Sequence, residues 1–320
     1  MPSIPPAQQI VVPVLGMHRS GTSLTTRLLN LLGMELGSPL QPAGPDNPKG
    51  FWENRLFQNL NMQMLDMLGF NSDGLGSEKD LYKAFSTLEL TDIGTDTLEV
   101  LRASLRAQFV GQCWGFKDPR TVLNYPCWER VLAELGYTQV RPVVVLRRPE
   151  ACAQSLLRRG NLAHIPRPMG QSPSQSALNI WRAYTRILLH HLDLESCLVI
   201  CQEDLLNPHR VGGELRRMAE WIGTPDVDLS EALAWIEPGL DHREPSEGEQ
   251  LDPELDSMDQ LIRDVAQTQR SRFLQTELPT APPAMEHPPE RCIYIVSPTR
   301  YGHSEAFTEI ASSGSALRWG

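Results

Sequence analysis

Residues 10–24 read IVVPVLGMHRSGTSL, an apolar run followed by a turn that lies between two glycines. The run at 10–15 has the near-continuous hydrophobicity of a strand covered on both faces. Leucines then recur at helical spacing over residues 21–34. A buried strand that enters a glycine turn and leaves as a helix directs backbone N–H groups at one point. That arrangement favours a bound phosphate.

The rest of the chain alternates short apolar runs with longer helical periods. This alternation predicts an α/β fold, with a parallel sheet flanked by helices in a P-loop, nucleoside-phosphate-binding architecture. Strands are predicted at 10–15, 114–116, 143–146 and 198–201. Helices are predicted at 21–34, 56–68, 98–110, 119–135, 150–159, 177–192 and 213–221, with surface helix and loop in the acidic stretch that follows.

The pattern predicts one main domain over residues 1–276. Residues 277–290 contain five prolines, which is typical of a linker. Residues 291–320 begin with another strand-like run but are too few to form a domain alone. We expect them to be a tail that docks on the main sheet or the truncated start of an extra segment.

Charge is unevenly distributed along the 320 residues, whose formal net charge is −10. Residues 226–259 hold twelve acidic side chains and one basic side chain, whereas residues 141–167 hold six arginines and one acid. The acidic total argues against nucleic-acid binding by bulk charge, and the arginine-rich stretch predicts a local anion site.

The compartment is predicted from what the chain contains. No apolar run approaches the ~18 residues of a membrane span, and the first residues lack the basic region of a signal peptide. Six cysteines occur without a C-x-x-C pair, which predicts reduced, buried thiols and no metal site. We therefore expect a cytoplasmic protein.

The glycine turn differs from a kinase loop at one position. The spacing from Gly16 to Gly21 fits a P-loop, but the Walker A pattern then requires Lys followed by Ser or Thr, and here Thr22-Ser23 follow. The basic residue Arg19 comes earlier instead. Such a loop suits a ligand with an acidic 5′ group and requires no metal. An atypical P-loop kinase or NTPase, and a purely structural turn, remain as alternatives.

Three motifs together resemble one enzyme family. Residues 19–22, Arg-Ser-Gly-Thr, resemble the 5′-phosphosulfate-binding loop of sulfotransferases that use 3′-phosphoadenosine 5′-phosphosulfate (PAPS). Arg147 after a strand and Ser155 eight positions on resemble the 3′-phosphate signature of that family. Lys117 in the run Lys-Asp-Pro resembles the tyrosylprotein branch. The matches cover residues 11 to 155, with weaker resemblance to 224.

The resemblance lies closer to the tyrosylprotein, glycan and bacterial branches than to the cytosolic small-molecule branch, whose basic C-terminal loop is not recognisable here. It implies transfer of a sulfuryl group from PAPS to a hydroxyl or amine, with release of the 3′,5′-bisphosphate PAP. The acceptor would be a carbohydrate or another hydroxyl compound. A non-catalytic PAPS- or PAP-binding protein is a further alternative.

The resemblance also implies roles for single residues. Arg19 would hold the sulfate and 5′-phosphate, and Lys117 would neutralise developing charge. Glu53 would be the general base, although it fits a carboxylate in the first turn of a helix equally well. The nucleotide ligands implied are His18, Arg19, Ser20, Gly21, Thr22, Ser23, Arg147 and Ser155.

Four other side chains have two interpretations each. Trp181 and Tyr184 fit a core stripe better than a nucleotide contact, because their spacing is helical. Arg158 and Arg159 either rim the entrance to the site or lie at an exposed helix end.

Overall fold

The structure is a computed structural model that describes residues 4–45, 47–88, 95–160, 162, 165, 170–236 and 252–277. The chain divides into two compact units, Met1–Phe273 and Leu274–Gly320. Of the predicted linker at 277–290 only the backbone of Glu277 is described, and it lies in a helix. The segment 291–320 lies outside the described residues, so the predicted domain boundaries stay a prediction.

A parallel sheet of five strands forms the centre of the first unit. The strands are β1 (Ile10–Leu15), β2 (Cys113–Lys117), β3 (Gln139–Val140), β4 (Val143–Leu146) and β5 (Leu198–Cys201). Their order is β2-β1-β4-β5, and the short β3 pairs with β1. The chain passes from β1 to one neighbour and later crosses to the other, so the strand order reverses between β1 and β4. In open α/β sheets, ligands bind at the carboxyl ends of the strands at such a reversal.

Helices flank the sheet, and the predicted α/β class with a parallel sheet is confirmed. The helices are α1 (Thr22–Leu31), α2 (Arg55–Met67), α3 (Glu78–Phe85), α4 (Thr95–Gln108), α5 (Thr121–Glu134), α6 (Pro149–Arg159), α7 (Pro173–His191), α8 (Gln202–Leu205), α9 (Val211–Ile222), α10 (Ser230–Trp235) and α11 (Pro253–Glu277). The seven predicted helices all exist with shifted ends. The sequence patterns missed α3 and α8.

One predicted helix start is wrong for an identifiable reason. The helix expected from Pro119 begins at Thr121, because the Asp118 carboxylate accepts a hydrogen bond from the backbone N–H of Arg120 at 2.9 Å. This side-chain bond closes a tight turn between β2 and α5, and Pro119 lies inside that turn.

Both faces of the sheet are covered, which explains why its longer strands are almost entirely apolar. In β4, Val144 and Leu146 face a core shared with α6 and α7. Val143 and Val145 face the opposite core, which includes residues of α1 and α9. Successive strand residues alternate between faces, so a strand covered twice must be apolar at every position.

The two aromatic residues of α7 belong to the core, as predicted. Trp181 and Tyr184 are each 1% exposed. The Tyr184 hydroxyl donates a hydrogen bond of 2.8 Å to the carbonyl of Gly74. The tyrosine therefore anchors the loop between α2 and α3 to the helix layer.

The described cysteines are buried and free, in keeping with the expected reduced thiols: Cys113, Cys127, Cys152, Cys197 and Cys201. Burial raises the pKa of the Cys152 and Cys201 thiols to about 12. Across the ranges that the structure describes, no helix combines the length and the hydrophobicity needed to cross a bilayer.

Candidate active site

The glycine turn after β1 requires both of its glycines. A Cβ on Gly16 would lie 2.7 Å from the carbonyl oxygen of Val145 in β4. Gly21 has a φ of +90°, and a Cβ there would lie 2.7 Å from Gln202. Arg19 also has a positive φ, 69°, which is uncommon for a residue with a side chain and is concentrated at functional sites. The turn ends where α1 begins, so the unpaired N–H groups of the first helical turn lie at the loop.

Two motifs that are far apart in sequence meet beside this turn. Nε of Arg19 donates to Oγ of Ser155 at 2.9 Å, and Nη1 of Arg147 donates to the Arg19 carbonyl at 3.2 Å. Ser20 lies beneath them, with its hydroxyl 3.5 Å from the thiol of Cys152 on α6. The residues implied for the 5′-phosphate and for the 3′-phosphate therefore form one hydrogen-bonded cluster. Their individual roles stay predictions.

Lys117 and Glu53 form a buried ion pair at the carboxyl end of β2. Nζ of Lys117 lies 2.7 Å from Oε1 of Glu53 and donates to Oγ of Ser23 at 3.2 Å. Gln58 donates to the other carboxylate oxygen at 3.1 Å. Lys117 is only 1% exposed, so it is not a solvated surface charge. Two of the three side chains predicted to be catalytic, with Arg19 as the third, are thus in direct contact.

The backbone before α2 brings Glu53 to this position. Asn54 caps α2 by accepting a hydrogen bond from the N–H of Leu56 at 2.9 Å, so Glu53 lies one residue before the cap. The alternative that Glu53 belongs to the first helical turn is wrong. Trp52, the residue before it, has a φ of 57°.

A second buried ion pair lies a few residues further along. Arg120 donates from Nε to Oδ1 of Asp118 at 2.7 Å and from Nη2 to Oδ2 at 2.8 Å. Its Nη1 donates to the carbonyl of Ser72 at 2.7 Å. This bidentate pair fixes the β2–α5 turn and ties it to the loop between α2 and α3.

His18 is buried and uncharged. Its Nε2–H donates to the carbonyl of Asp73 at 2.9 Å, and its ring meets Tyr184 edge to face at 6.0 Å. Burial, followed by the charges of Arg120 and Arg159, lowers the pKa of His18 to about 3. The histidine therefore adds no positive charge to the loop, and its predicted contact with the nucleotide stays a prediction.

A cavity of about 560 Å³ joins these groups at the carboxyl edge of the sheet. Every predicted site residue except Ser20 lines it. Among the described residues, acidic side chains in the lining are Glu53 and Asp73, and the basic ones are Arg19, Lys49, Lys117, Arg120, Arg147, Arg158 and Arg159. Such an excess of cations suits a ligand that carries several negative charges.

The sequence patterns missed one wall of the cavity, which is aromatic. Trp52 and Trp235 meet edge to face at 6.0 Å. The guanidinium of Arg27 lies 4.6 Å from the Trp52 ring and 4.8 Å from the Trp235 ring. Nζ of Lys49 donates to the Trp235 carbonyl at 3.3 Å. The run at 47–54 contains two adjacent aromatic residues, so the sequence indicates the Trp52 side of this wall. Trp235 lies in α10, where no motif marks it.

No group of three or more His, Cys, Asp or Glu side chains with the geometry of a metal site occurs among the described residues. Other residues that line the cavity without a sequence signal are Gln41, Gln58, Asp73 and Gln202.

Comparisons with known proteins give only distant structural similarity. No protein-family model matches the chain, and a search of curated proteins finds no match. The sulfotransferase domain of the Synechococcus PCC 7002 olefin synthase is 18% identical, covers 86% of this chain and 96% of that one, and gives a TM-score of 0.37.

Two further solved structures are similar at the same level. The sulfotransferase domain from the curacin biosynthetic pathway is 14% identical, with 82% and 98% coverage and a TM-score of 0.42. Sulfotransferase STF1 from Mycobacterium tuberculosis H37Rv is 15% identical, with 81% and 77% coverage and a TM-score of 0.33. Identities and scores this low say nothing about what the present chain binds or transfers.

Proposed function

We propose that the chain is a sulfotransferase that moves a sulfuryl group from PAPS to a hydroxyl or amine of an acceptor and releases PAP. The observation that carries the proposal is that three sets of predicted site residues line one cavity. They are the glycine turn after β1, the cluster of Arg19 with Arg147 and Ser155, and the ion pair of Lys117 with Glu53.

The character of the cavity supports PAPS as the donor. A terminal phosphate carries about two negative charges near neutral pH, and PAPS adds a phosphosulfate to it. The basic side chains of the lining match such a ligand. The aromatic wall of Trp52 and Trp235 supports binding of the nucleotide base, since any nucleobase can stack on an aromatic side chain.

Lys117 and Glu53 supply the two functions that in-line transfer needs. The acceptor oxygen forms a bond to sulfur while the bond from sulfur to the 5′-phosphate oxygen breaks. Glu53 accepts the acceptor's proton, and Lys117 neutralises the charge that develops on the leaving oxygen. The two side chains touch at 2.7 Å, which supports both functions acting at the same reacting centre.

Polar groups next to Glu53 support a hydroxyl-rich acceptor such as a carbohydrate. Gln41 and Gln58 line the cavity there, and the N–H of Gln41 donates to the Glu53 carbonyl at 2.6 Å. Amide side chains both donate and accept, as a sugar hydroxyl does. The buried free thiols of the described residues support a reducing compartment such as the cytoplasm.

Calorimetry without metal tests the donor. We expect PAP to bind more tightly than adenosine 5′-phosphate or Mg-ATP, because the 3′-phosphate finds Arg147 and Ser155. In the Arg147→Ala variant, affinity for PAP should fall while affinity for adenosine 5′-phosphate barely changes. Preference for Mg-ATP would favour the kinase alternative.

An assay of sulfuryl transfer distinguishes an enzyme from a protein that only binds the nucleotide. Labelled PAPS is offered with pools of carbohydrate, phenolic and lipid hydroxyl compounds, and transfer of label to a pool member is measured. PAP binding with no transfer to any pool, and no PAPS hydrolysis, would favour the non-catalytic alternative.

A further inference from the structure

The last turn of α6 carries two arginines to which the function proposed above assigns no individual role. Ser155, Arg158 and Arg159 are separated by three and four positions, and residues at this spacing lie on one face of a helix. All three line the cavity. Two guanidinium groups therefore lie one turn beyond the hydroxyl that contacts Arg19.

The two arginines differ in their surroundings. Arg159 is half-buried in the cavity lining, and its charge helps to lower the pKa of the buried His18. Arg158 is exposed, and it forms no hydrogen bond or ion pair with any other residue in the part of the chain that the structure describes. Its planar group of five donors is of the kind that binds phosphate oxygens in pairs.

The charges of the lining point to the nucleotide as their ligand. Lys117 is offset by Glu53, and Arg120 by Asp118. The other basic side chains in the lining are Arg19, Lys49, Arg147, Arg158 and Arg159, and the remaining described acid there is Asp73. Basic side chains therefore outnumber acidic ones in the lining, as a nucleotide with about four negative charges, two of them on its terminal phosphate, would favour.

We infer that Arg158 and Arg159 bind the 3′-phosphate of the nucleotide together with Arg147 and Ser155. The inference rests on the proposed function and extends its phosphate site along α6. The competing use of these arginines is stabilisation of the helix end, because cations near a helix C-terminus interact favourably with its dipole.

A double variant distinguishes the two uses. In Arg158→Ala/Arg159→Ala, we expect the Kd for PAP to rise at least about tenfold, since charge-assisted hydrogen bonds to phosphate are lost. The Kd for adenosine 3′-phosphate should rise similarly, and that for adenosine 5′-phosphate should stay within about twofold. The matched control is Arg216→Ala, an exposed arginine on α9 that lies outside the cavity.

The outcomes are separable from those of the proposed function. If the wild type does not prefer PAP over adenosine 5′-phosphate, both proposals fail. If it does, and the double variant binds PAP as the wild type does, this inference alone fails. Equal losses for all three nucleotides, or the same loss in Arg216→Ala, would also overturn it.

A conservative variant guards against simple misfolding. Arg158→Lys/Arg159→Lys keeps both charges at the helix end but not the paired donors, and we expect it to recover part of the lost affinity for PAP. Thermal unfolding without nucleotide shows whether α6 is disturbed. A double alanine variant that melts as the wild type does, yet loses affinity for 3′-phosphates, is the expected result.

Discussion

Two buried ion pairs lie at the carboxyl end of β2, and they are built differently. Lys117 contacts Glu53, 64 positions away in sequence, through one hydrogen bond of 2.7 Å. Asp118 contacts Arg120, two positions away, through two side-chain hydrogen bonds of 2.7 and 2.8 Å, besides the backbone bond that closes the turn. The first pair joins distant segments, whereas the second closes a local turn.

The pairs also differ in what they leave available to a ligand. Both members of the Lys117–Glu53 pair line the cavity, whereas Asp118 is fully buried behind Arg120. The third donor group of Arg120 is already used by the Ser72 carbonyl. A local, bidentate and saturated pair acts as scaffold. A pair made across the fold by single bonds can exchange partners when a ligand enters, which is what catalysis requires.

The largest expected effect is on the Lys117–Glu53 pair, which we propose to be catalytic. Glu53→Gln should lower the turnover of PAPS by about 10²–10⁴-fold, the usual contribution of a general base. Lys117→Met should lower it by about 10²–10³-fold through lost charge stabilisation. Initial rates with labelled PAPS measure both, and Lys83→Met, an exposed lysine on α3 outside the cavity, is the control. A loss of less than tenfold for Lys117→Met would remove it from the reaction.

Combining the two changes sharpens the result. Each single variant leaves a buried charge without its partner and should destabilise the fold, whereas the neutral pair Glu53→Gln/Lys117→Met should recover stability. Activity should not recover with it. A double variant that regained turnover would show that the pair is scaffold too.

The next effect concerns the scaffold pair. Asp118→Asn should lower the free energy of unfolding by about 3–5 kcal/mol, because the buried charge of Arg120 loses its partner. Urea denaturation measures this. The control is Glu134→Gln, which breaks the exposed pair with Arg130 and should cost at most about 0.5 kcal/mol. Turnover per folded molecule should fall less than in Glu53→Gln, and a larger fall would place Asp118 in the reaction.

Sequence patterns predicted the groups that follow strands. Arg147 and Lys117 each come directly at or after the end of an apolar run, and the carboxyl ends of parallel strands meet at one edge. The glycine turn is equally predictable from sequence, because few residues other than glycine can adopt its backbone conformation. The α/β class and the glycine turn therefore follow from local patterns alone.

Groups delivered by loops were not predictable in the same way. Asp73 reaches the cavity because the loop between α2 and α3 is held by His18, Arg120 and Tyr184, three contacts that are distant in sequence. Trp235 comes from a helix of six residues that lies in an acidic stretch with weak periodicity. No local pattern encodes such contacts, because each depends on segments folded against one another.

A smaller expected effect is the pH dependence of stability that comes from His18, in the glycine turn, and its neighbour Arg120. The pKa of His18 is about 3 in the fold, against 6.5 for an ordinary histidine, partly because of Arg120. Between these values the unfolded chain binds more protons, so stability rises with pH and is lost on acidification below 6.5. The loss should be about 1.4 kcal/mol per pH unit, or about 2 kcal/mol between pH 6.5 and 5.

The matching variant is His18→Gln, which has no imidazole to titrate. Urea denaturation of the two proteins across this range gives the free energy of unfolding as a function of pH. The two curves should converge toward acid pH, because the variant lacks the part of the pH dependence that comes from the histidine. Parallel curves would mean that folding leaves the pKa of His18 unchanged.

The smallest expected effect tests how Glu53 is oriented. Gln58 donates to the carboxylate oxygen that Lys117 does not contact. Gln58→Leu should lower kcat by about three- to tenfold, as the loss of one hydrogen bond with a net contribution of about 1 kcal/mol implies, with the Kd for PAP unchanged. Gln63→Leu, on the exposed side of the same helix, should do neither. If kcat is unchanged in Gln58→Leu, Lys117 alone orients the Glu53 carboxylate. The Lys117–Glu53 pair would then need no third residue to hold its geometry, like the Asp118–Arg120 pair beside it.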